Sequence, residues 1–102
     1  MMGTIQPSDV AVVILNWNGR HHLETYLPSV LEHTPSDTHV WVVDNGSKDG
    51  SVAWLQANHA ARVQLVQLDK NHGFAGGYNE GLKQIDAELY VLLNSDVRMD
   101  GP

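Results

Sequence analysis

The sequence predicts an α/β fold, a mostly parallel sheet of about four strands with helices on both faces. Short apolar, β-branched runs alternate with stretches of helical periodicity, so each strand feeds a helix that crosses back to the next strand, a right-handed connection almost without exception. The runs are apolar throughout, as expected of strands covered on both faces. Each also ends in a polar cluster, and in open parallel sheets ligands bind outside the carboxyl ends of the strands.

The first strand is Val10-Ala11-Val12-Val13-Ile14-Leu15, ending at the turn Asn16-Trp17-Asn18-Gly19. Leu23, Leu27, Val30 and Leu31 then recur at helical spacing, with Pro28 inside the pattern predicting a kink or a late start. After Thr34-Pro35-Ser36-Asp37, a second strand, Val40-Trp41-Val42-Val43, is closed by Asp44-Asn45-Gly46-Ser47. A short helix from about Gly50 to His59 follows, then a third strand carrying Val63, Leu65, Val66 and Leu68. Next come a glycine-rich loop, Asn71-His72-Gly73-Phe74-Ala75-Gly76-Gly77, and a helix with Tyr78, Leu82 and Ile85 on one face. The fourth strand, Leu89-Tyr90-Val91-Leu92-Leu93, runs into Asn94-Ser95-Asp96.

A chain of 102 residues with 42% hydrophobic composition can hold one domain with one core. Residues 1–9 read as an N-terminal extension and 10–102 as the folded part. The net charge of −6, with no two of the six lysines and arginines adjacent, argues against nucleic acid and anionic membranes, which reward clustered cations. The absence of cysteine excludes a disulfide framework and thiolate zinc sites and fits a cytoplasmic protein. No run approaches the roughly 20 apolar residues of a membrane span.

Asp44, following a buried strand, could accept hydrogen bonds from ribose hydroxyls or a base N–H, or could simply shape a turn. Gly46-Ser47-Lys48-Asp49-Gly50-Ser51 is equally open, since Ser and Asp also cap helices. The glycine-rich segment sits where a strand passes into a helix, so its backbone N–H groups and the helix dipole favour an anion such as a diphosphate. Glycines there also serve close helix packing. Asp96 could be a hard oxygen ligand for Mg²⁺ or Mn²⁺, and an acidic chain has reason to use a cation when it holds a diphosphate. Trp17 could stack near a base, whereas Trp41 and Trp54 read as packing residues. None of the six histidines forms a zinc-spaced pair, and His72, inside the glycine loop, is the one expected to reach a ligand.

In order along the chain, Val12-Val13-Ile14-Leu15-Asn16-Trp17-Asn18-Gly19, the segment from Val42 to Ser51, the segment from Asn71 to Gly81, and Leu92-Leu93-Asn94-Ser95-Asp96 resemble the family-2 glycosyltransferases, closest to their rhamnosyltransferase-like branch. The resemblance implies the Rossmann-like nucleotide-binding half of the GT-A fold. It implies a donor site at Asn16, Asn18, Asp44, Asn45, Asn71, Gly73, Gly77, Asn79, Asn94, Ser95 and Asp96. Asp44 would contact the nucleoside, the segment from Asn71 to Asn79 would border the diphosphate, and Asp96 would hold Mg²⁺ or Mn²⁺. The family's metal motif is usually Asp-X-Asp; here it is Asn94-Ser95-Asp96, with the last Asp the one expected on the ion.

The implied reaction moves a sugar from a UDP-, dTDP- or GDP-sugar to an acceptor hydroxyl with inversion, a carboxylate acting as general base. That base is expected beyond residue 102, as is recognition of the glycan or lipid-linked acceptor, so this chain would bind donor and transfer little by itself. Apolar surface left open would promote self-association. The complete enzyme would work in the cytoplasm or at the cytoplasmic face of a membrane.

Three other readings part from this one at particular positions or in activity. A nicotinamide-dependent dehydrogenase would carry Gly-X-Gly-X-X-Gly after the first strand, where Asn16-Trp17-Asn18-Gly19 stands. A phosphoacceptor signalling domain using Asp69 would need an acidic cluster after the first strand, where asparagines stand instead. A non-catalytic nucleotide-sugar-binding domain would share every motif and differ only in activity.

Overall fold

The computed structural model describes residues 4–94. Its core is a sheet of four parallel strands: β1 (Val10–Asn16), β2 (His39–Asp44), β3 (Val63–Gln67) and β4 (Leu89–Asn94). A single 3-10 turn, Pro7–Asp9, leads into β1. Helix α1 (Arg20–Glu32) follows β1, α2 (Ser51–Asn58) follows β2 and α3 (Gly73–Leu82) follows β3. The strand order is β3-β2-β1-β4. The chain steps outward from β1 to β3 and then crosses back to the other side of β1. The boundary between β1 and β4 is therefore the place where strand order reverses, and there the helices of the two sides diverge and open a crevice at the carboxyl edge.

Side-chain alternation along each strand feeds two cores. Val12, Ile14, Val40, Val42 and Val63 pack against Leu23, Leu27 and Val30 of α1 and Leu55 of α2. On the other face, Ala11, Val13, Leu15, Val43 and Val66 pack against Tyr78 of α3 and Ile85 just beyond it. Two-sided burial explains why β1 and β2 read as unbroken apolar runs, and each such aliphatic side chain contributes about 1.5–3 kcal/mol when fully buried. Strand β4 differs. It pairs only with β1, and Leu89, Val91 and Leu92 remain 45%, 41% and 46% exposed.

The late start allowed for α1 and the loop reading of the whole glycine-rich segment are corrected. Helix α1 begins at Arg20 and continues through Pro28, giving up one i→i−4 hydrogen bond, because Leu23, Leu27 and Val30 on one stripe all reach the core. The glycine-rich segment is not a loop up to Gly77: α3 starts at Gly73, so Gly76, Gly77 and Gly81 are helical residues. A Cβ on Gly77 would lie 2.7 Å from Asn45 Nδ2 and 2.8 Å from Leu15 Cδ1, and one on Gly81 would lie 2.5 Å from Val43 Cγ2. Glycine is required here because the helix backbone rests directly on the ends of β1 and β2. Ile85, expected on this helix, packs from the connection that follows it.

Candidate functional site

Two hydrogen-bonded frames join the carboxyl ends of the strands. In the first, Asn16 Nδ2 donates to Asp44 Oδ1 at 3.0 Å and to Ser47 Oγ at 3.3 Å, while Asp44 Oδ2 accepts the Ser47 N–H at 2.9 Å. The Asn18 N–H donates to Ser47 Oγ at 2.8 Å, and Asn18 Oδ1 accepts the Lys48 N–H at 2.8 Å. Asn18 has φ +50°, a left-handed conformation that Asn adopts more readily than most residues, and this bends the chain from β1 into α1. In the second frame, Asn45 Nδ2 donates to Asn71 Oδ1 at 3.1 Å and to the Gly73 carbonyl at 3.0 Å, and Asn45 Oδ1 accepts the His72 N–H at 2.9 Å. Asn71 Oδ1 also accepts the Gly73 N–H at 2.7 Å. The side chains of the strand-end motifs thus fix the three loops to one another.

Asp49 adds a further tie. Its Oδ2 accepts the Arg20 N–H at 2.9 Å, at the start of α1, and its Oδ1 accepts the Ser51 N–H at 3.0 Å, at the start of α2, as well as the Ser51 hydroxyl. One carboxylate therefore satisfies the first turns of two helices and meets both positive dipole ends. Desolvation raises the Asp49 pKa, but the bonds from Ser51 and from the Arg20 N–H outweigh it and hold the carboxyl below its ordinary value. A depressed folded pKa gives stability that is present above the unfolded value, roughly 3.9, and is lost as pH falls through the folded one. Asp49→Asn is expected to cost about 1 kcal/mol at neutral pH, the usual magnitude for a helix cap. In urea titrations at about pH 7 and at about pH 3, the gap between wild type and variant should narrow at the lower pH; a gap of the same size at both would show that charge on Asp49 contributes nothing.

Above these frames lies a cavity of about 420 Å³. Its floor and sides are Leu15, Asn18, Gly19, Asn45, Asn71 and Gly73. Trp17, His22, Phe74 and Asn94 complete it, with Trp17 and Phe74 standing 53% and 62% exposed. Phe74 meets the edge of Tyr78 at 5.2 Å between ring centroids, and the Tyr78 hydroxyl donates to the Leu93 carbonyl at 2.5 Å, joining α3 to the end of β4. The cavity spans the β1/β4 boundary, where the strand order reverses.

Of the residues singled out from sequence, Asn18, Asn45, Asn71, Gly73 and Asn94 converge on this cavity. Asn16 and Asp44, 0% and 2% exposed, the buried Gly77 and the exposed Asn79 are not part of its wall. Asp44 accepts one hydrogen bond on each oxygen, from Asn16 Nδ2 and from the Ser47 N–H, and is not part of the cavity wall in this arrangement. His72 is absent from the cavity wall and pairs instead with Asp69, Nε2 to Oδ1 at 2.9 Å. Ser95 and Asp96 lie outside the described residues. Among the described residues, no group of three or more His, Asp or Glu is placed to hold a metal ion. Sequence reasoning missed His22 and Phe74, whose place at the cavity follows from the onsets of α1 and α3.

A four-stranded parallel sheet with an amide-lined, aromatic-walled crevice at its reversal point defines a doubly wound α/β domain with its ligand crevice at the carboxyl edge. The sequence profile of glycosyl transferase family 2 matches residues 11–101, and the chain belongs to that family. It is 31% identical over 88 residues to the succinoglycan biosynthesis protein ExoO of Rhizobium meliloti, a match covering 86% of this chain and 25% of that protein. It is 30% identical over 90 residues to the glycosyltransferase alr2836 of a Nostoc species, covering 85% of this chain and 28% of that one. The mannosyltransferase PcManGT from Pyrobaculum calidifontis, solved with GDP-Man and Mn²⁺, superposes with a TM-score of 0.74 at 26% identity, over 86% of this chain and 27% of its own. TarS residues 1–349 from S. aureus, solved with UDP, superposes with a TM-score of 0.73 at 25% identity, over 86% and 27%. The chain thus spans about a quarter of the length of the relatives it matches. The α/β architecture is that of the GT-A fold expected from the sequence motifs.

Proposed function

We propose that this chain carries the donor-binding part of an inverting glycosyltransferase, which moves a sugar from a nucleoside-diphosphate carrier to an acceptor hydroxyl. The observation that supports this most directly is the cavity at the β1/β4 boundary, where Asn18, Asn45, Asn71, Gly73 and Asn94 from four separate motifs meet between two exposed aromatic rings. The flat faces of Trp17 and Phe74 suit a planar base, and the amides supply both donors and acceptors for a base or ribose. Asp44 enters as the acid that fixes Asn16 and Ser47 beneath the floor.

A divalent cation belongs to this reading. Asn94 lines the cavity and could offer its amide oxygen, and Asp96, two residues on, would add the carboxylate, with phosphate oxygens of the donor completing the shell. Such an ion, Mg²⁺ or Mn²⁺, would neutralise charge on the departing diphosphate. PcManGT was solved with Mn²⁺ and GDP-Man, which favours this assignment. No helix among the described residues is long and apolar enough to cross a membrane. The expected place of work is the cytoplasm or the cytoplasmic surface of a membrane, where a glycan or lipid-linked acceptor would be met. The open apolar edge at Leu89, Val91 and Leu92 would favour self-association of this chain.

Calorimetric titration with UDP-, dTDP- and GDP-sugars, with and without Mn²⁺, tests the proposal. Binding to one of them is expected to require Mn²⁺, and Asp96→Ala is expected to weaken it at least about tenfold by removing the only carboxylate assigned to the ion. Equal affinity of wild type and Asp96→Ala would overturn the metal assignment, and absence of binding to all three donors would overturn the donor site.

A further inference from the structure

We infer that His22 is the cationic contact of this chain to the phosphates of a bound donor, resting on the donor-site reading above. The argument starts from charge. A nucleoside-diphosphate sugar is doubly anionic, and the protein carries a formal net charge of −6. Among the described residues the cavity wall contains no lysine, no arginine and no carboxylate, and His22 is its one titratable side chain.

The described cations are committed elsewhere or lie off the cavity. Arg20 Nε is bonded to Glu24 Oε2 at 3.2 Å, and its guanidinium end lies over Gly50. Arg62 donates to the carbonyls of Thr38 and Pro35 at the opposite end of the sheet, and Lys83 pairs with Glu80 at 2.8 Å. Lys48 and Lys70 are exposed on the loops after β2 and β3 and do not border the cavity.

His22 sits in the first turn of α1, three residues past the Gly19 cap, so the helix dipole reinforces an anion at the same place. Its ring is exposed and stacks on Tyr26, with centroids 6.3 Å apart and planes within 12°. This contact holds the ring against its own helix, and His22 is part of the cavity wall. Of the titratable and charged groups on its own helix, His21, at 6.1 Å between centroids, Tyr26 and the Arg20–Glu24 pair lie near it in sequence, and Glu32 stands at the far end of the helix. From the other elements around it, the neighbours on the cavity wall are Trp17, Asn18, Asn45, Phe74 and Asn94, all uncharged. Asp49 holds the backbone N–H of Arg20 behind this turn.

Imidazole gains its charge between about pH 8 and 5, whereas a nucleotide sugar has both phosphates esterified and keeps its charge constant over that range. Binding that favours the protonated ring therefore tightens as pH falls. With UDP-glucose, dTDP-glucose and GDP-mannose as probes, at fixed Mn²⁺, the affinity of wild type for the donor it accepts is expected to rise about fivefold from about pH 8 to about pH 5.5. His22→Gln should lose most of that rise, His22→Arg should bind tightly with a flat profile, and His21→Gln should behave as wild type. The matching nucleoside, lacking phosphate, should show no slope. A flat wild-type profile, a slope that survives in His22→Gln, or an equal loss at both pH values in that variant would overturn the assignment of His22 while leaving the donor site in place. Failure of all three donors to bind at any pH would overturn both.

Discussion

Gly46→Ala is expected to destabilise the chain by about 2–5 kcal/mol, a large share of the roughly 5–15 kcal/mol typical of a domain. Gly46 has φ +82°, and an added Cβ would stand 2.7 Å from the Lys70 carbonyl carbon and 2.8 Å from the Asn71 nitrogen. Both obstacles are backbone, so no rotamer change relieves them. The left-handed conformation costs about 1–2 kcal/mol for a residue with a side chain, and forced overpacking about 1–3 more. Gly73 provides the control, because its φ is +78° but a Cβ there meets nothing within 4 Å. Gly73→Ala should therefore show only the conformational part. In urea melts of both variants, the difference between them isolates the contact of the β2 turn with the Lys70–Asn71 segment. If the two lost the same stability, that contact would be wrongly placed.

Gly46 also shows what the sequence can disclose and where it falls silent. Asp44-Asn45-Gly46-Ser47 announces a sharp turn after an apolar strand, and the turn is there, because the demand for positive φ is local and only glycine meets it cheaply. The partner that Gly46 touches lies 24 residues on, and no periodicity points to it. The strands were legible for the same local reason: β1 and β2 are covered on both faces, so their apolar runs are uninterrupted. The onset of α3 was not. Glycines at Gly73, Gly76 and Gly77 lower helix propensity and read as loop, yet packing on Leu15, Asn45 and Val43 favours a helix with no side chains in the way.

The site was legible in outline and not in depth. Polar residues at strand ends mark the carboxyl edge, but which of them face a ligand depends on cross-strand register. Asn16 and Asp44 are direct partners in the β1/β2 register, so the Asn16 amide N–H turns to the Asp44 carboxylate and both side chains are buried away from the cavity wall. The histidines illustrate the same limit: His72 sat inside the more suggestive motif, but a carboxylate three residues earlier captured it, while His22 reaches the cavity through the phase of α1.

Asp44→Ala is expected to cost about 3 kcal/mol and to abolish measurable donor binding even at temperatures where the variant is folded. The carboxylate is 2% exposed and accepts from Asn16 Nδ2 and the Ser47 N–H, so its removal leaves two donors without their acceptor, at about 1–3 kcal/mol for each that stays buried. Released from Asp44, Ser47 would no longer be fixed against Asn16 and Asn18, and the turn carrying Trp17 would lose its support. Asp44→Asn separates hydrogen bonding from shape. One oxygen is kept, and if the Asn16 amide turns over, its Oδ1, a buried atom with no hydrogen-bond partner among the described residues, can accept from the new N–H group. That variant should lose only about 1 kcal/mol and retain part of its donor affinity. Thermal melts and calorimetric titrations on the same samples test both halves. If Asp44→Ala unfolded earlier but bound donor normally once folded, Asp44 would be a residue of stability alone. If Asp44→Asn lost binding as completely as Asp44→Ala without losing stability, the carboxylate would have to reach the donor itself, and the floor of the cavity would have to open to admit it.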